Sequence, residues 1–316
     1  MPRQIRIVMV LLVVLSGILP LVFLSAPELI LLQPSSGAFA NVPYRISPFF
    51  LQFAAVAAGF VIKPIYMLLA GVLIIILWRV HQSAPEIELL KWGLIFFLVG
   101  EIFCSINYIF FHELSDTAEY LHSLGMVLGV ALFFLALFEG LDRRIIHYSG
   151  ETTRCTALAL CGRCYKYQAS PCGLRRLFLF AILLMALMVA IPLTAAPIEV
   201  SYTTTIFGTI YNYTHALIQQ LYELRYAPIV AGLFFFLSFL VLLAKGMNSV
   251  TTSKTLLALG LGYLTFGLMR IFLLHTFSTE MVWFIFWEEA TELFLMLAIA
   301  ISLFVFRDGL HLRVTV

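Results

Sequence analysis

The sequence predicts an all-α, polytopic integral membrane protein with eight transmembrane helices, arranged as two parallel four-helix repeats with short interfacial helices. Composition is the first observation behind this fold class: 62% of the 316 residues are hydrophobic and 11% are charged, whereas soluble chains carry about a quarter charged residues. Apolar runs are the second, since many are long enough to cross a hydrocarbon core of about 30 Å. The third is a recurrence of proline and glycine positions in the two halves.

The apolar runs define the eight predicted spans. They cover residues 6–25, 63–80, 90–111, 118–138, 177–196, 228–245, 255–275 and 283–305. Arg3 and Arg6 before the first run also fit a signal peptide, but Pro27 directly after Ala26 disfavours cleavage there. We therefore expect the first run to be retained as a span.

The distribution of basic residues predicts the orientation. With Arg3 and Arg6 inside, 15 Lys and Arg residues fall on the inner segments and three on the outer ones, namely Arg45, Lys63 and Arg225. This asymmetry follows the positive-inside rule. Both termini are expected in the cytoplasm, and the expected location is a bacterial or archaeal cytoplasmic membrane.

Two halves of the chain share an ordered set of prolines and glycines. Pro20 and Pro192 close the first helix of each half, and Pro64 and Pro228 open the second. Four spans in each half give both halves the same direction, as in parallel-repeat transporters. The predicted organisation is a first repeat at 1–141, a cytoplasmic cysteine-rich basic loop at 142–176 and a second repeat at 177–316, with interfacial helices at 47–61 and 209–224.

The connecting loop holds four of the five cysteines, Cys155, Cys161, Cys164 and Cys172. A Cys-x2-Cys pair aims two sulfurs at one ion, and four thiolates complete a tetrahedral zinc or iron site or hold an iron–sulfur cluster. Basic neighbours would offset the negative charge of such a centre. Three alternatives stay open: topology-setting contacts with anionic lipid, acylation of Cys155 or Cys172, and disulfides if the orientation were reversed.

Ionisable residues inside predicted spans mark function or pairing. Glu101 lies within the third span, and Cys104, Tyr108 and His112 follow it at helical spacing as one stripe. Such a stripe can carry protons or line a polar cavity. A buried structural hydrogen-bond network is the equally weighted alternative.

The fourth and eighth spans both open with ligand-type residues. Glu119 and His122 form a Glu-x-x-His pair, which partly matches di-iron bundles, and the repeat sets them opposite three glutamates. Those are Glu288, Glu289 and Glu292. Structural pairing of Arg270 with Glu289 or Glu292, a proton or quinone site, and a metal site are the competing interpretations. A haem is not expected, because only His122 and His275 are candidate axial ligands.

Three functional hypotheses follow. The first is a membrane redox component with a cytoplasmic four-cysteine zinc or iron–sulfur centre, a soluble or peripheral redox partner and a quinone or proton site in the outer half. The second is a secondary transporter or channel for a cation or proton, with a zinc-held cysteine clasp. The third is a non-catalytic anchor subunit. Phosphate-binding loops, hydrolase elbows and nucleic-acid-binding patterns are absent from the sequence, and the sequence does not decide whether the protein is an enzyme.

Overall fold

A computed structural model describes residues 3–25, 42–80, 84–111, 115–143, 201–214, 220–245, 250–277 and 280–305 of the chain. These residues are predominantly helical. Five of their helices are long and apolar enough to cross a membrane, at Phe49–Trp78, Pro85–Phe111, Asp116–Leu141, Tyr222–Ala244 and Thr251–Thr276. The prediction of a membrane-embedded helical protein is confirmed at this level.

The elements are numbered in chain order. The α-helices are α1 (Arg3–Val13), α2 (Leu19–Ser25), α3 (Phe49–Ala57), α4 (Lys63–Trp78), α5 (Pro85–Phe111), α6 (Asp116–Leu141), α7 (Ala227–Lys245), α8 (Val250–Phe277) and α9 (Met281–Val305). The strands are β1 (Val42–Ile46), β2 (Ser201–Ile206) and β3 (Thr209–Thr214).

The eight predicted spans have different outcomes. Five coincide with the five long apolar helices, although the helix predicted at 63–80 begins earlier, at Phe49. The first predicted span is a shorter apolar helix over Arg6–Val22, and the last lies in α9, which contains three glutamates. The span at 177–196, like most of the cysteine-rich loop, lies outside the described residues. Eight spans therefore remain a prediction.

The all-α prediction is wrong in one region, where β1, β2 and β3 form a sheet. β2 pairs in parallel with β1 and antiparallel with β3. Consecutive threonines and an isoleucine in β2 favour extended backbone because they are branched at Cβ. Phe207 and Gly208 connect β2 to β3 with φ angles of 47° and 85°, which is the backbone of a type I′ hairpin turn.

Neither predicted interfacial helix is present as predicted. Residues 209–214 of the segment 209–224 form β3, so the helix predicted there is wrong for these residues. The segment 47–61 belongs instead to the continuous helix Phe49–Trp78. The sequence prediction ended that segment too early because Lys63 and Pro64 resemble a helix start.

Prolines inside the helices are accommodated by π-helical turns. Three π-helical segments among the described residues each end two residues before a proline. The segments are Val14–Ile18, Ala58–Ile62 and Gln220–Tyr226, and the prolines are Pro20, Pro64 and Pro228. Proline lacks an N–H and its ring clashes with the carbonyl four residues earlier, and local widening of the helix relieves both problems. The helix therefore continues through Pro64, and Lys63 lies in its interior.

Tyrosine hydroxyls replace donors that are missing from the first helix. Three of them, here called the tyrosine clamp, donate to carbonyls of the first π-helical segment: Tyr226 to Leu15, Tyr222 to Ser16 and Tyr120 to Gly17. Leu15 and Ser16 are the carbonyls five and four residues before Pro20, which has no N–H to offer them. Because a membrane supplies no water, such carbonyls need a partner from another helix.

Glycines bring α5, α6 and α8 into backbone contact. A Cβ on Gly125 of α6 would lie 2.6 Å from Gly100 Cα of α5, and a Cβ on Gly262 of α8 would lie 2.6 Å from Ala131 Cα of α6. Small residues at helix contacts are typical of membrane bundles. The helix α6 therefore lies between the two helices that carry Glu101 and Arg270.

The two predicted repeats pack differently in the described residues. In the first half α5 packs closely along α6, whereas α8 and α9, their predicted counterparts, share a much smaller contact. Pro64 and Pro228 are alike in that each follows a π-helical segment. This likeness is local, and the parallel repeat as a whole stays a prediction.

Candidate functional site

Seven charged side chains form one buried cluster, here called the glutamate network. They come from α4, α5, α8, α9 and the π-helical segment before α7, and each side chain is at most 13% exposed. Its members are Lys63, Glu101, Glu223, Arg270, Glu288, Glu289 and Glu292. Charges at this depth in a membrane protein face other helices or a polar cavity rather than lipid.

Lys63 forms one end of the glutamate network. Its ammonium group donates to Glu101 Oε2, to Glu289 Oε1 at 3.1 Å and to the hydroxyl of Tyr66 at 3.2 Å. Lys63 and Tyr66 are three residues apart in α4, so both side chains project from the same face. The Tyr66 hydroxyl also lies 2.6 Å from Glu101 Oε2 and 2.5 Å from Glu289 Oε2.

Arg270 forms the other end and is 1% exposed. Its Nε lies 2.9 Å from Glu223 Oε2, its Nη2 lies 3.3 Å from Glu292 Oε1, and its Nη1 pairs with Glu288. The guanidinium carbon is 5.1 Å from the centre of the Phe266 ring. All three nitrogens of the guanidinium thus face a carboxylate. A lysine ammonium group, which has a single nitrogen, could not make these three contacts in the same geometry.

The helix α9 joins the two ends. Glu288 and Glu292 face Arg270, while Glu289, between them in sequence, faces Lys63 and Tyr66. One carboxylate oxygen from each of Glu101, Glu289 and Glu292 lies within 4.8 Å of the other two. The carboxylates therefore form a continuous group across the helix contacts rather than separate ion pairs.

The start of α6 adds neutral and titratable partners. Ser123 donates to Glu223 Oε1 at 2.9 Å, and the Nδ1 atom of His122 lies 3.1 Å from the carbonyl of Gly100 and 3.9 Å from Glu101 Oε1. Glu119, one turn earlier, accepts from Asn107 at 3.1 Å. This edge of the network is only partly buried at Glu119.

The network contains more negative than positive charge. Five carboxylates and two cations leave an excess of three negative charges if all are ionised, and of two if His122 is protonated. A buried carboxylate is unfavourable unless it is paired or neutralised. Protonation or binding of a cation is the way such an excess is removed.

Three oxygens of the network are buried without a hydrogen-bond partner among the described residues, namely Glu101 Oε1, Glu223 Oε2 and Glu292 Oε2. Glu223 Oε2 faces Arg270 Nε at 2.9 Å, which leaves Glu101 Oε1 and Glu292 Oε2. A buried acceptor without a donor costs about 1–3 kcal/mol. Both belong to the group of three carboxylates whose oxygens approach within 4.8 Å, so this group has unused acceptor capacity.

The three carboxylates have the oxygen donors that hard cations prefer. The ammonium group of Lys63 already contacts two of them, Glu101 and Glu289. A metal ion at this point would therefore compete with a tethered cation. The residues fit a proton or a small cation in exchange with Lys63 better than a permanently held metal.

The structure brings together most of the intramembrane residues predicted from sequence. Glu101, Arg270 and the three glutamates of α9 meet in the network, and His122 lies beside it. Arg270 does contact Glu292 as expected, whereas Glu289 contacts Lys63 instead.

The remaining predicted residues lie elsewhere or outside the described residues. Tyr108, on the predicted stripe, is 39% exposed, and Cys104 is partly buried. His275 is exposed. His112 and the four cysteines Cys155, Cys161, Cys164 and Cys172 lie outside the described residues, so the metal centre predicted from them stays a prediction.

Sequence reasoning missed Lys63, Tyr66 and Glu223. Lys63 was counted as an outer flanking charge because the helix was expected to begin there, and Glu223 fell in a segment predicted as interfacial. The available signal was that Lys63 divides an otherwise apolar stretch from Phe49 to Trp78. A single cation in the middle of such a stretch indicates a partner in another helix.

A second group of charges, here called the Lys254 cluster, lies at the other end of α6 and α8, and three of its four side chains are buried. Lys254 Nζ is 2.8 Å from Glu139 Oε1 and 2.6 Å from Asp142 Oδ2. Arg143 Nε is 3.0 Å from Glu139 Oε2. These four side chains comprise two cations and two carboxylates.

Comparisons with known proteins add no relative: no family model, no curated protein and no solved structure matches the chain.

Proposed function

We propose that the protein is a membrane transporter or channel for protons or a small cation, and that the glutamate network is its binding site. The observation that carries this proposal is the ratio of five buried carboxylates to two cations in one connected cluster. Intramembrane ionisable residues mark ion pathways and proton relays, and an excess of carboxylates provides acceptors for the transported species.

Flux through reconstituted protein tests this proposal. Purified protein in liposomes, loaded with a pH-sensitive dye or a cation-sensitive dye, is exposed to a proton or cation gradient. Wild-type protein is expected to dissipate one of the gradients. Glu101→Gln should lower the rate at least about tenfold, because a barrier increase of about 1.4 kcal/mol suffices for that change.

Glu88→Gln is the matched control for this experiment. Glu88 lies on the same helix, α5, but its side chain is 39% exposed and pairs with Lys91. The same chemical change there should leave flux unchanged. Equal rates in wild type, E88Q and E101Q, or no flux in any of them, would contradict the transport proposal and favour a structural role for the network.

The spacing of the four cysteines supports a second candidate, a redox component. In this proposal Cys155, Cys161, Cys164 and Cys172 hold an iron–sulfur cluster or zinc, and the glutamate network serves a quinone or a proton. Electrons would come from a soluble or peripheral partner. This candidate differs from the first in requiring a redox-active centre.

Metal analysis and an absorption spectrum of anaerobically purified protein distinguish the candidates. Iron with a broad visible band, lost in Cys161→Ser and Cys164→Ser, supports electron transfer. Stoichiometric zinc supports a clasp beside the transport function. Cys104→Ser is the control, because Cys104 lies in α5 and outside the four-cysteine motif. Protein without bound metal would rule out both versions of the centre.

A further inference from the structure

The hydroxyl of Tyr66 lies between two carboxylates. Its oxygen is 2.6 Å from Glu101 Oε2 and 2.5 Å from Glu289 Oε2, and both distances fall in the range of hydrogen bonds between a hydroxyl and a charged or neutral oxygen acceptor. Lys63 Nζ donates to the same hydroxyl oxygen at 3.2 Å. Two short oxygen–oxygen contacts therefore meet at one phenol.

Counting protons shows that one contact needs a proton that tyrosine cannot supply. A phenol carries a single hydrogen, and an ionised carboxylate only accepts. If Tyr66 donates to one glutamate, the second glutamate must carry a proton and donate to the Tyr66 oxygen. The lysine protons do not fill this place, because Lys63 makes its own contacts from a separate position.

We infer that Glu101, Tyr66 and Glu289 form a proton-binding unit in which the two carboxylates share one exchangeable proton through the tyrosine hydroxyl. The inference rests on the proposed transport function and deepens it, because it makes the proton the species that the network binds. We call this unit the shared-proton dyad.

Exchange within the shared-proton dyad conserves charge and atoms. The proton on Glu289 Oε2 passes to the Tyr66 oxygen while the Tyr66 proton passes to Glu101 Oε2. One O–H bond breaks and one forms at each end, tyrosine is neutral before and after, and the negative charge moves from Glu101 to Glu289. No co-reactant is required.

The charged and titratable groups around the shared-proton dyad come from five helices and from the π-helical segment before α7, whereas α3, which also packs against α9, contributes none. They are Lys63 on α4, Cys104 on α5, His122 on α6, Glu223 before α7, Arg270 on α8, and Glu288 and Glu292 on α9. Lys63 contacts both carboxylates and stabilises whichever of them is ionised. The Lys63 ammonium group therefore contacts the ionised carboxylate both before and after the proton exchange.

Infrared difference spectroscopy of purified protein tests the inference. Wild-type protein at neutral pH should show the C=O stretching band of a protonated carboxylic acid, with a downshift in D2O. Glu101→Gln and Glu289→Gln should each remove the intensity of one carboxylic acid. The double variant should remove no more than either single variant, because both carboxylates share the same proton.

Tyr66→Phe provides a second test that keeps both carboxylates, in case a glutamate variant fails to fold. It removes only the hydroxyl and should shift the frequency of the acid band, because the protonated carboxyl loses its acceptor. Glu88→Gln, on the same helix as Glu101, should change no acid band. Ionised carboxylate bands alone in the wild-type-minus-E101Q difference, or twice the loss in the double variant, would overturn the inference.

The outcome is separate from that of the flux experiment. The spectra are recorded in detergent without a gradient, so they report protonation and not transport. An acid band without flux would retain the shared-proton dyad and reject the transporter. Flux without the band would reject the dyad and leave the transporter, with another cation as its substrate.

Discussion

The two clusters of charge lie towards opposite ends of α6 and α8, and they differ in composition. The Lys254 cluster pairs two cations with two carboxylates. The glutamate network has five carboxylates and two cations. Paired charges hold helices in a defined arrangement, whereas an unbalanced group retains a capacity to bind positive charge.

Stability and function make different demands on these two sites. Replacing a buried ion pair with apolar residues is often neutral, but removing one partner leaves an uncompensated charge. In the Lys254 cluster each carboxylate contributes to a pair. In the glutamate network some carboxylates can lose their charge at little cost. Substitutions in the two clusters should therefore change the free energy of unfolding by different amounts.

Arg270→Met should destabilise the protein more than any other substitution considered below. Glu223, Glu288 and Glu292 lose their shared cation, and the free energy of unfolding should fall by about 3–5 kcal/mol. Arg143→Met is the matched change in the Lys254 cluster. Its side chain is 44% exposed, so solvent screening should keep the loss within about 1 kcal/mol. Denaturant unfolding in detergent micelles measures both, and equal losses would contradict the comparison.

Acid-to-amide changes should have different effects on stability at the two sites. Glu139→Gln removes a negative charge that contacts both Lys254 and Arg143, and it should destabilise the protein by about 1–3 kcal/mol. Glu292→Gln lowers the excess negative charge of the glutamate network and should be neutral or stabilising. Thermal unfolding of the two variants provides the measurement. A destabilisation by E292Q as large as that by E139Q would mean that the network is balanced after all.

Glycine-to-alanine changes test how closely the helices pack near each of the two clusters. A Cβ at Gly125 would lie 2.6 Å from Gly100 Cα and 2.7 Å from the Phe96 carbonyl oxygen. Gly125→Ala should therefore force α5 and α6 apart near the network and lower the free energy of unfolding by about 1–3 kcal/mol. A Cβ added at Gly140, near the Lys254 cluster, would have its nearest neighbours 4.0 Å away, on the side chain of Glu86. Gly140→Ala should change the free energy of unfolding by no more than about 0.5 kcal/mol. Loss of flux in G125A but not in G140A would show that the contact between α5 and α6 is needed for transport.

The tyrosine clamp allows the stability cost of losing an uncharged hydrogen bond to be compared with the costs at the two charged clusters. Tyr222→Phe leaves the Ser16 carbonyl without its donor and should cost about 1 kcal/mol. In a Pro20→Ala background a backbone N–H becomes available, so the cost of Y222F should fall. A double-mutant cycle of unfolding free energies gives the coupling. An unchanged cost would show that the hydroxyl does not substitute for the proline donor.

Several features of the site were predictable from sequence. Glu101, Arg270 and the glutamates of α9 were identified because ionisable residues inside apolar runs are expensive in a membrane. Pairing of Arg270 with Glu289 or Glu292 was predicted from the need to compensate a buried guanidinium, and the structure shows the contact with Glu292. These arguments use only the composition of one segment at a time.

Other features depended on information that local patterns do not contain. Lys63 was assigned to a helix end because Pro64 follows it, yet a π-helical segment carries the helix past the proline. The strand β3 was predicted as part of an interfacial helix, although pairing with β2 stabilises it as a strand. Both errors concern backbone that is determined by neighbours distant in the chain.

Local amino-acid composition alone is sufficient to predict the membrane class and the approximate places of five long helices, because crossing a bilayer requires only a sufficient apolar length. The packing of the helices is needed to show that Lys63 meets Glu289, 226 residues away, and that Tyr66 bridges two carboxylates. Such contacts depend on the rotation and depth of each helix relative to the others. Packing against elements distant in the chain sets both, and no single segment encodes them.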